Sequence, residues 1–457
     1  MVVQLYEKDN GMTTSTPTGI ESINLTNKQN KLLASHTQFI GYVPAKGGDP
    51  KKEKEIQKKI DKLHDLLEEV FSHQNLDHKL NMISLEELRK DVIEPNHNPD
   101  FGIKLRLLGP GVDSFTLPMN HLFSNGVQVV PSLTNCNESQ THYSPCYPRE
   151  YRDFNFKGPR AQLASPLAAY YRWEVLKKKP DACDFLVDFK KEENTITHDG
   201  KELRFENIFC EENGYVYPKT RFEEPAERFL RKYANKIKIN FEKVTTHLPD
   251  NQGRVEYFQA LTAAFSLASY YTHKDVEDVS KCQGAAQLFL KTQFEIVARA
   301  TVHEARKHPE RQMPLVLCPV GYGFLENHLN TVASALDDAI KIIVESGCDN
   351  LHVYLSCSSL EEMSDFERYF KLESLNKDKL AISQVTEVQS HGNNHASGLV
   401  QRSRVGGELD RSSRLSSPVE QAYSSSFCCR LFNRWRPTPK NNMKGNTERT
   451  PLIPPKC

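Results

Sequence analysis

Apolar residues repeat at two different spacings along the chain, and each spacing predicts a different kind of element. After Pro50 they recur every three or four positions and face away from lysines and glutamates, which predicts an amphipathic helix. The apolar face of this helix consists of Ile56, Ile60, Leu63, Leu67 and Val70. Ser84, with Glu87 three residues later, has the pattern of a capping box and predicts a second, short helix.

Between Phe101 and Phe370, short apolar runs alternate with helical patterns. The runs IKLRLL, VQVVPSL and KIKINFEKVTTHLP read as strands, and RAQLASPLAAYYRWEVLKK reads as a helix. A long helical tract is predicted over residues 255–307, and residues 185–235 read as an insertion with extra strands. This alternation predicts an α/β fold with a mixed, mostly parallel sheet between helices.

Changes in composition divide the chain into four parts. We predict a flexible leader at 1–48, a helical extension at 49–98, the α/β domain at 99–375 and a disordered tail at 385–457. The tail is rich in Ser, Arg, Gly, Asn and Pro, and its 11 basic against 5 acidic residues give 11 − 5 = +6. Its basic character contrasts with the balance of the whole chain.

Overall charge and cysteine usage exclude several classes of protein. The chain has 59 basic and 59 acidic residues, so no net field favours nucleic acid, and we predict no nucleic-acid partner. The 11 cysteines form no CxxC pair, which predicts mostly reduced thiols, no metal site and no cofactor. No Sec-type signal and no apolar run of about 18 residues is present, so we expect a cytoplasmic protein or one secreted by another route.

A glycine-bearing turn between a strand and a helix is the strongest local sign of a ligand. Leu315 to Val320 reads as a buried strand, and Gly321 and Gly323 follow it directly. Glycines at this position let backbone N–H groups approach a phosphate, and the positive end of the next helix favours the same anion. Taken alone, the same pattern also fits an ordinary strand-to-helix turn.

The order of elements around this turn resembles the last third of a macrodomain, the α/β fold that binds ADP-ribose. The matching parts are the strand, the Gly321-Tyr322-Gly323-Phe324 loop, a helix to Glu345, a strand at 351–355 and a helix opened by SLEE. DFNFKGPRAQLASPLAAYYR further resembles a helix of the poly(ADP-ribose) glycohydrolase branch. The resemblance covers residues 100–372 and is looser upstream of the turn.

This resemblance implies roles for particular residues. Asn135 and Asn137 would reach the distal ribose, and Asp113 would accept a hydrogen bond from the adenine amino group. Gly321 and Gly323 would line the diphosphate. Tyr322 and Phe324 would pack on the distal ribose, although core packing explains the two aromatic residues equally well.

The chain departs from the glycohydrolase pattern at the catalytic acid. The glutamates expected after Gln162 are replaced by Leu163, Ala164 and Ser165. A carboxylate that stabilises an oxocarbenium-like transition state and positions water must then come from elsewhere. Asp153 is the first candidate and Glu138 the second. A loop acid or a cap is the alternative reading of each.

The resemblance therefore predicts an ADP-ribosylhydrolase that removes ADP-ribose from an arginine or acidic side chain of a modified protein. A reader module that binds ADP-ribose without turnover is one alternative, and a host-directed adaptor is another. In the tail, FCCRLFNRW suggests membrane contact and ERTPLI resembles an acidic dileucine signal read by adaptors. These motifs suggest a bacterial effector that acts in host cells.

Overall fold

The computed structural model describes residues 23, 25–40, 49–72, 79–96, 98, 101–109, 112, 115–120, 123–136, 138, 147–150, 157–212, 214–219, 223–248, 253–267, 282–323 and 325–385. Its strands are β1 (Met82–Ser84), β2 (Ile103–Leu108), β3 (Val127–Pro131), β4 (Ile196–His198), β5 (Lys201–Leu203), β6 (Phe209–Glu212), β7 (Tyr215–Pro218), β8 (Lys238–His247), β9 (Arg254–Thr262), β10 (Met313–Leu317), β11 (Leu351–Ser356) and β12 (Leu380–Val385). Its helices are α1 (Asn27–Ile40), α2 (Pro50–Ser72), α3 (Leu85–Leu88), α4 (Lys157–Gln162), α5 (Pro166–Lys178), α6 (Phe205–Ile208), α7 (Glu223–Tyr233), α8 (Gln283–Lys307), α9 (Leu329–Ser346) and α10 (Leu360–Leu372).

A central sheet of eight strands organises these elements in the order β1-β8-β9-β3-β10-β11-β2-β12. The six strands from β9 to β12 in this order run parallel, whereas β8 and β1 run antiparallel to their neighbours. Parallel strands need covered faces, and apolar clusters lie on both sides of the sheet. The predicted mixed, mostly parallel α/β sheet between helices is confirmed.

The two faces of the sheet are covered by different helices. On one face, the side chains of Leu105, Val127, Leu315 and Val353 are at most 1% exposed and share a core with α8, α9 and α10. On the other face, α1, α2 and α5 pack with Val130, Tyr257 and Leu261, together with the segment between α5 and β8. None of the helices in the described ranges is long and apolar enough to cross a membrane.

The unit from β10 to α10 matches the sequence prediction closely. A buried strand, a glycine turn, a helix, a buried strand and a closing helix follow in that order. Gly347 ends α9 in the left-handed region with φ +65°, as its position predicts. The Ser359 side chain caps α10 by accepting a hydrogen bond from the Glu362 N–H.

The apolar face predicted after Pro50 is also correct, since its five residues are at most 7% exposed in α2. Ser84 and Glu87 form the predicted capping box, although α3 ends at Leu88. Residues 185–235 supply two hairpins, β4–β5 and β6–β7, outside the central sheet. The helix predicted from Arg160 is divided into α4 and α5, and α5 starts at Pro166, where proline favours a first turn.

The helical tract predicted over residues 255–307 is wrong in its first part. Arg254–Thr262 forms β9, a strand paired with both β8 and β3, and among the described residues of this tract the helix is 283–307. Val255 and Tyr257 are buried while Arg254 and Glu256 are exposed, which is the two-residue period of a strand. The second half of β9 is buried on both sides because the strand lies inside the sheet, so its sequence does not alternate between apolar and polar residues.

Three predicted boundaries differ from the described structure. Residues 27–40 form α1, whose Leu33 and Ile40 are fully buried, so part of the predicted leader is a packed element. β1, from the predicted helical extension, pairs with β8, and β12 extends the sheet beyond residue 375. Short edge strands of this kind give weak sequence signals. The tail predicted after Val385 lies outside the described residues.

Two adjacent acids of α9 offer a direct test of how the last strand is held. Asp337 is 4% exposed and accepts hydrogen bonds from Ser374 Oγ (2.6 Å), Leu375 N–H (2.9 Å) and Asn376 Nδ2 (2.7 Å). Asp337→Ala should lower the free energy of unfolding by about 3 kcal/mol, because it leaves buried donors unpaired. Urea denaturation measures this loss.

The neighbouring Asp338 is the matched control. It forms a partly exposed ion pair with Lys291 at 2.8 Å. Asp338→Ala should cost about 1 kcal/mol or less. Equal losses for the two variants would contradict the assignment of Asp337 as the anchor of the chain before β12.

Candidate functional site

Three chain segments meet at the carboxyl edge of the parallel strands. β3 lies between β9 and β10, and all three strands end at this edge. Three segments leave the sheet here: the loop after β3 (residues 132–138), the buried segment after β9 (Ala263–Leu267) and the glycine turn after β10 (residues 320–327). Ligands of open α/β sheets bind at this edge.

The glycine turn uses both of its glycines in the left-handed region, with φ +89° at Gly321 and +78° at Gly323. A Cβ on Gly321 would lie 2.6 Å from Ala264 Cβ, so this residue must be glycine for the turn to pack on the buried segment. A Cβ on Gly323 would meet nothing within 4 Å. One glycine therefore joins the turn to the fold and the other faces open space.

The backbone of this turn offers a hydrogen-bond donor. Within the described part of the chain, the Gly321 N–H makes no hydrogen bond, whereas a parallel bridge between Tyr322 and Asn327 places the Gly323 N–H against the Asn327 carbonyl. The Tyr322 N–H between the two glycines donates to the Pro319 carbonyl at 3.2 Å. Backbone N–H groups of such turns can bind anions, and in this turn the Gly321 N–H is the donor available for a phosphate.

The N-terminus of α9 is held by a glutamine side chain from α8. His328 N–H donates to Gln283 Oε1 at 3.0 Å, and the Thr331 hydroxyl donates to the same oxygen at 2.6 Å. Gln283, the first residue of α8, therefore caps α9 from outside the helix.

Tyr322 points toward α10. Its ring makes an edge contact with Phe366 at 5.6 Å between centroids, and its hydroxyl donates to Asp365 Oδ2 at 3.4 Å. Burial and the nearby Asp365 raise the pKa of Tyr322. These contacts fix the turn on α10, and the predicted stacking of Tyr322 on a ribose stays a prediction. Phe324 lies outside the described residues.

Glu138 is a buried carboxyl group in the loop after β3. It is 7% exposed, and its Oε1 accepts hydrogen bonds from the Ser132 hydroxyl, from Leu133 N–H at 3.4 Å and from Gln162 Nε2 at 2.9 Å. No hydrogen bond to Oε2 is formed within the described ranges. Burial raises the pKa of Glu138 to about 7, although the hydrogen bonds oppose this. A carboxyl group with such a pKa can donate and accept protons near neutrality.

Behind Glu138 lies a buried polar network that the sequence did not reveal. Gln162 also accepts from Arg172 Nη2 at 3.3 Å, and the same Nη2 donates to Gln259 Oε1 at 2.9 Å. Arg172 Nη1 lies 3.4 Å from Glu242 Oε2, and both side chains are at most 1% exposed. The sequence does show that Arg172 and Glu242 are charged residues within otherwise apolar runs, which is a sign of buried polar groups. Their partners come from different elements, so spacing could not pair them.

The remaining predicted site residues divide into two groups. Asn135 lies against the turn between β6 and β7, since a Cβ on Gly214 would be 2.6 Å from Asn135 Oδ1. Thr134 holds this turn because its N–H and hydroxyl donate to the Gly214 carbonyl at 3.0 and 2.7 Å. Asp113, Asn137 and Asp153 lie outside the described residues, so their predicted roles stay predictions.

A disulfide joins the loop after β3 to the segment that follows α5. It links Cys136 to Cys183, whereas the other five described cysteines are not disulfide-bonded, so the expectation of mostly reduced thiols holds for the described cysteines apart from this one pair. The two cysteines are 47 residues apart in sequence, and nothing in their spacing distinguishes them from the other cysteines. The disulfide fixes the loop two residues before Glu138.

Backbone strain is concentrated in these loops. Among the described residues other than glycine, positive φ occurs at Asn125, Cys136, Glu138, Asp199 and Glu326. Asparagine and aspartate tolerate this region, but cysteine and glutamate do so at a cost of about 1 kcal/mol each. Strain of this kind clusters at functional sites, and here it falls in the loop after β3 and in the glycine turn.

Three buried oxygens at the same edge lack partners within the described part of the chain. They are Thr262 Oγ1, Ser266 Oγ and Asn327 Oδ1, on residues that are at most 3% exposed. Buried polar atoms are normally hydrogen-bonded, and exceptions are frequent where proteins bind ligands or ions. The polar character of this edge was missed from the sequence because Thr262 and Ser266 fell in a predicted helix.

A separate surface cavity of about 470 Å³ lies beside α7 and the β4–β5 hairpin. Arg228, Arg231 and Lys232 line it. Glu224 and Glu227 are paired with the two arginines at 3.6 and 3.4 Å, so much of its positive charge is neutralised. This cavity is a weaker candidate for an anion site than the glycine turn.

No family model matches this chain, and no curated protein matches it.

The raised pKa of Glu138 predicts how stability depends on pH. The native pKa of about 7 exceeds the ordinary glutamate pKa of 4.5, so the native state binds the extra proton. Its stabilising effect is complete below pH 4.5 and is lost as the pH rises through 7. Relative to Glu138→Gln, the wild type should lose up to about 3 kcal/mol between pH 4.5 and 8.

Urea denaturation at pH 5.5 and pH 8 measures this difference. Glu295→Gln is the control, because hydrogen bonds from Arg89 and Arg299 keep the pKa of Glu295 below its usual value. The stabilising effect of the Glu295 carboxylate is therefore lost only at more acidic pH. The difference in unfolding free energy between Glu295→Gln and wild type should be constant from pH 5.5 to 8. A flat difference for Glu138→Gln as well would refute the raised pKa.

Proposed function

We propose that this chain is a macrodomain-like ADP-ribosylhydrolase that removes ADP-ribose from a modified protein side chain. The observation that carries the proposal is the glycine turn at the carboxyl edge of the parallel sheet, where the Gly321 N–H is available and open space lies beside Gly323. Such a turn suits a diphosphate. The resemblance of the strand, turn and helix order to macrodomains supports ADP-ribose as the ligand.

Glu138 is the described carboxyl group best suited to the chemistry. In the proposed reaction, a water oxygen bonds to the anomeric carbon of the distal ribose while the bond from that carbon to the protein side chain breaks. Glu138 Oε2 takes a proton from the water, and the released side chain takes up a proton. The products are free ADP-ribose and the unmodified side chain. Asp153 stays the other candidate for this role.

A reader module is the second candidate function, and a specific observation favours it. Leu163, Ala164 and Ser165 replace the glutamates of the glycohydrolase pattern, and all three are fully buried. The Ser165 hydroxyl is bound to the Thr245 carbonyl at 2.7 Å. No carboxylate is therefore available at these positions, and turnover depends on an acid elsewhere in the chain.

The substrate protein, linkage and place of action are further parts of the proposal. Arginine or acidic side chains are the favoured linkages, and the basic tail would supply membrane or adaptor contacts. The proposed place of action is the cytoplasm or a host cell. A host-directed adaptor without any ADP-ribose site is the third reading.

Calorimetry with ADP-ribose and release assays on ADP-ribosylated arginine, glutamate and serine substrates separate these functions. A hydrolase should bind ADP-ribose and release it from at least one substrate. Binding without release would favour the reader. Absence of binding would overturn both and leave the adaptor.

Two glycines of the same conformation test the phosphate role of the turn. Gly323→Ala should weaken ADP-ribose binding about 10-fold or more, because the new Cβ enters the open side of the turn where the diphosphate would lie. The left-handed φ of +78° should add a stability loss of about 1 kcal/mol. Calorimetry and thermal denaturation measure the two effects.

Gly200→Ala is the matched control. Gly200 has φ +72° and also has nothing within 4 Å of an added Cβ, but it lies in the β4–β5 hairpin. It should lose similar stability and keep ADP-ribose affinity. If both variants bound as tightly as wild type, the turn would not be the diphosphate site.

A further inference from the structure

Gln162 connects the candidate acid to a buried arginine. Its Nε2 donates to Glu138 Oε1 at 2.9 Å, and its Oε1 accepts from Arg172 Nη2 at 3.3 Å. Gln162 and Arg172 are each 1% exposed. The side chain sits at the end of α4, so it links this helix to α5 and to the loop after β3.

The chemistry of the two partners fixes the orientation of the Gln162 amide. A guanidinium group only donates hydrogen bonds, so the amide oxygen must face Arg172. The NH₂ group must then face Glu138. Arg172 itself is held by Gln259 at 2.9 Å and by Glu242 at 3.4 Å. Rotation of the amide would place a donor against a donor, which the network forbids.

This orientation makes the two oxygens of Glu138 unequal. Oε1 accepts hydrogen bonds from the Ser132 hydroxyl and from two groups that can only donate, the Leu133 N–H and the Gln162 amide NH₂. The protonated oxygen of a carboxyl group is a poor acceptor, so the proton of Glu138 belongs on Oε2. Oε2 has no hydrogen-bond partner in the described part of the chain and is not among the oxygens sealed from solvent there.

We propose that Gln162, oriented by Arg172, is a positioning residue that makes Oε2 of Glu138 the oxygen that exchanges a proton with the substrate water. This inference rests on the proposed hydrolase function. It assigns Gln162 a role different from that of the residues that follow it, which are buried and carry no acid.

The groups that face Glu138 determine how its titration responds to a change at Gln162. The charged group among them is Arg172 of α5, which lowers the pKa of Glu138 and is itself paired with Glu242 of β8 at 3.4 Å. The hydrogen bond from Gln162 lowers the pKa of Glu138 against the effect of burial. Its loss should therefore shift the titration of Glu138 to higher pH.

Gln162→Met tests this role because it keeps the volume and removes the amide. The kcat for release of ADP-ribose should fall about 10- to 100-fold with KM nearly unchanged. The pH limb assigned to Glu138 should move to higher pH. A difference infrared titration of the Glu138 carboxyl band, identified by its absence in Glu138→Gln, should show the same shift without any need for activity.

Gln162→Glu is the second variant, in case the methionine variant fails to fold. It preserves the acceptor for Arg172 and replaces only the donor that faces Glu138. The infrared midpoint of Glu138 should again rise. Asn350→Leu is the control, since Asn350 is a 5% exposed amide that binds three backbone carbonyls next to β11. It should lose stability and keep both the Glu138 midpoint and kcat.

The outcomes separate this inference from the function on which it rests. An unchanged midpoint with wild-type kcat in both Gln162 variants overturns the positioning role alone. A wild type that binds ADP-ribose but releases none overturns the hydrolase and, with it, the catalytic part of this inference. A raised midpoint with lower kcat and steady KM supports the role.

Discussion

The candidate site depends on a buried stretch of backbone whose polar groups must all find partners. Each residue of Ala263–Leu267 is at most 3% exposed, and a buried N–H or C=O group without a partner is costly. Gln293 of α8 pairs with both the N–H and the C=O of Ala263, at 2.8 and 2.7 Å. Asn327 donates to the Phe265 carbonyl at 2.9 Å, and Leu267 N–H donates to Leu325 at 2.9 Å. The hydrogen bonds that satisfy this buried backbone thus connect α8, the glycine turn and the end of β9.

The local sequence pattern was sufficient to predict elements that have one buried face and one exposed face. The α2 helix and the unit from β10 to α10 could be predicted because capping residues and helical periods are written in neighbouring positions. β9 could not, because a strand buried on both faces has no alternation along most of its length. α1 escaped notice for a different reason: Leu33 and Ile40 are few apolar residues among many polar ones, and only the tertiary contacts bury them.

The candidate site was predictable to the extent that it is made of consecutive residues. Gly321 and Gly323 were found because the turn is local. Glu138 was ranked below Asp153, since a sequence does not show that Gln162 approaches it from 24 positions away. The disulfide between Cys136 and Cys183 and the pairing of Arg172 with Glu242 were invisible for the same reason. Long-range polar partners are set by topology, and topology is the step that sequence patterns predict least well.

The β6–β7 hairpin gives the insertion a place in the architecture that its sequence did not suggest. Gly214 supports Thr134 and Asn135 from one side, and the Val216 carbonyl accepts from Ser266 N–H at 3.0 Å. The insertion therefore forms a wall shared with the carboxyl edge of the sheet. In evolutionary terms, residues 185–235 could not be gained or lost without affecting the rest of the fold. Their loss would have to be accompanied by changes in the loop after β3 and in the buried segment after β9.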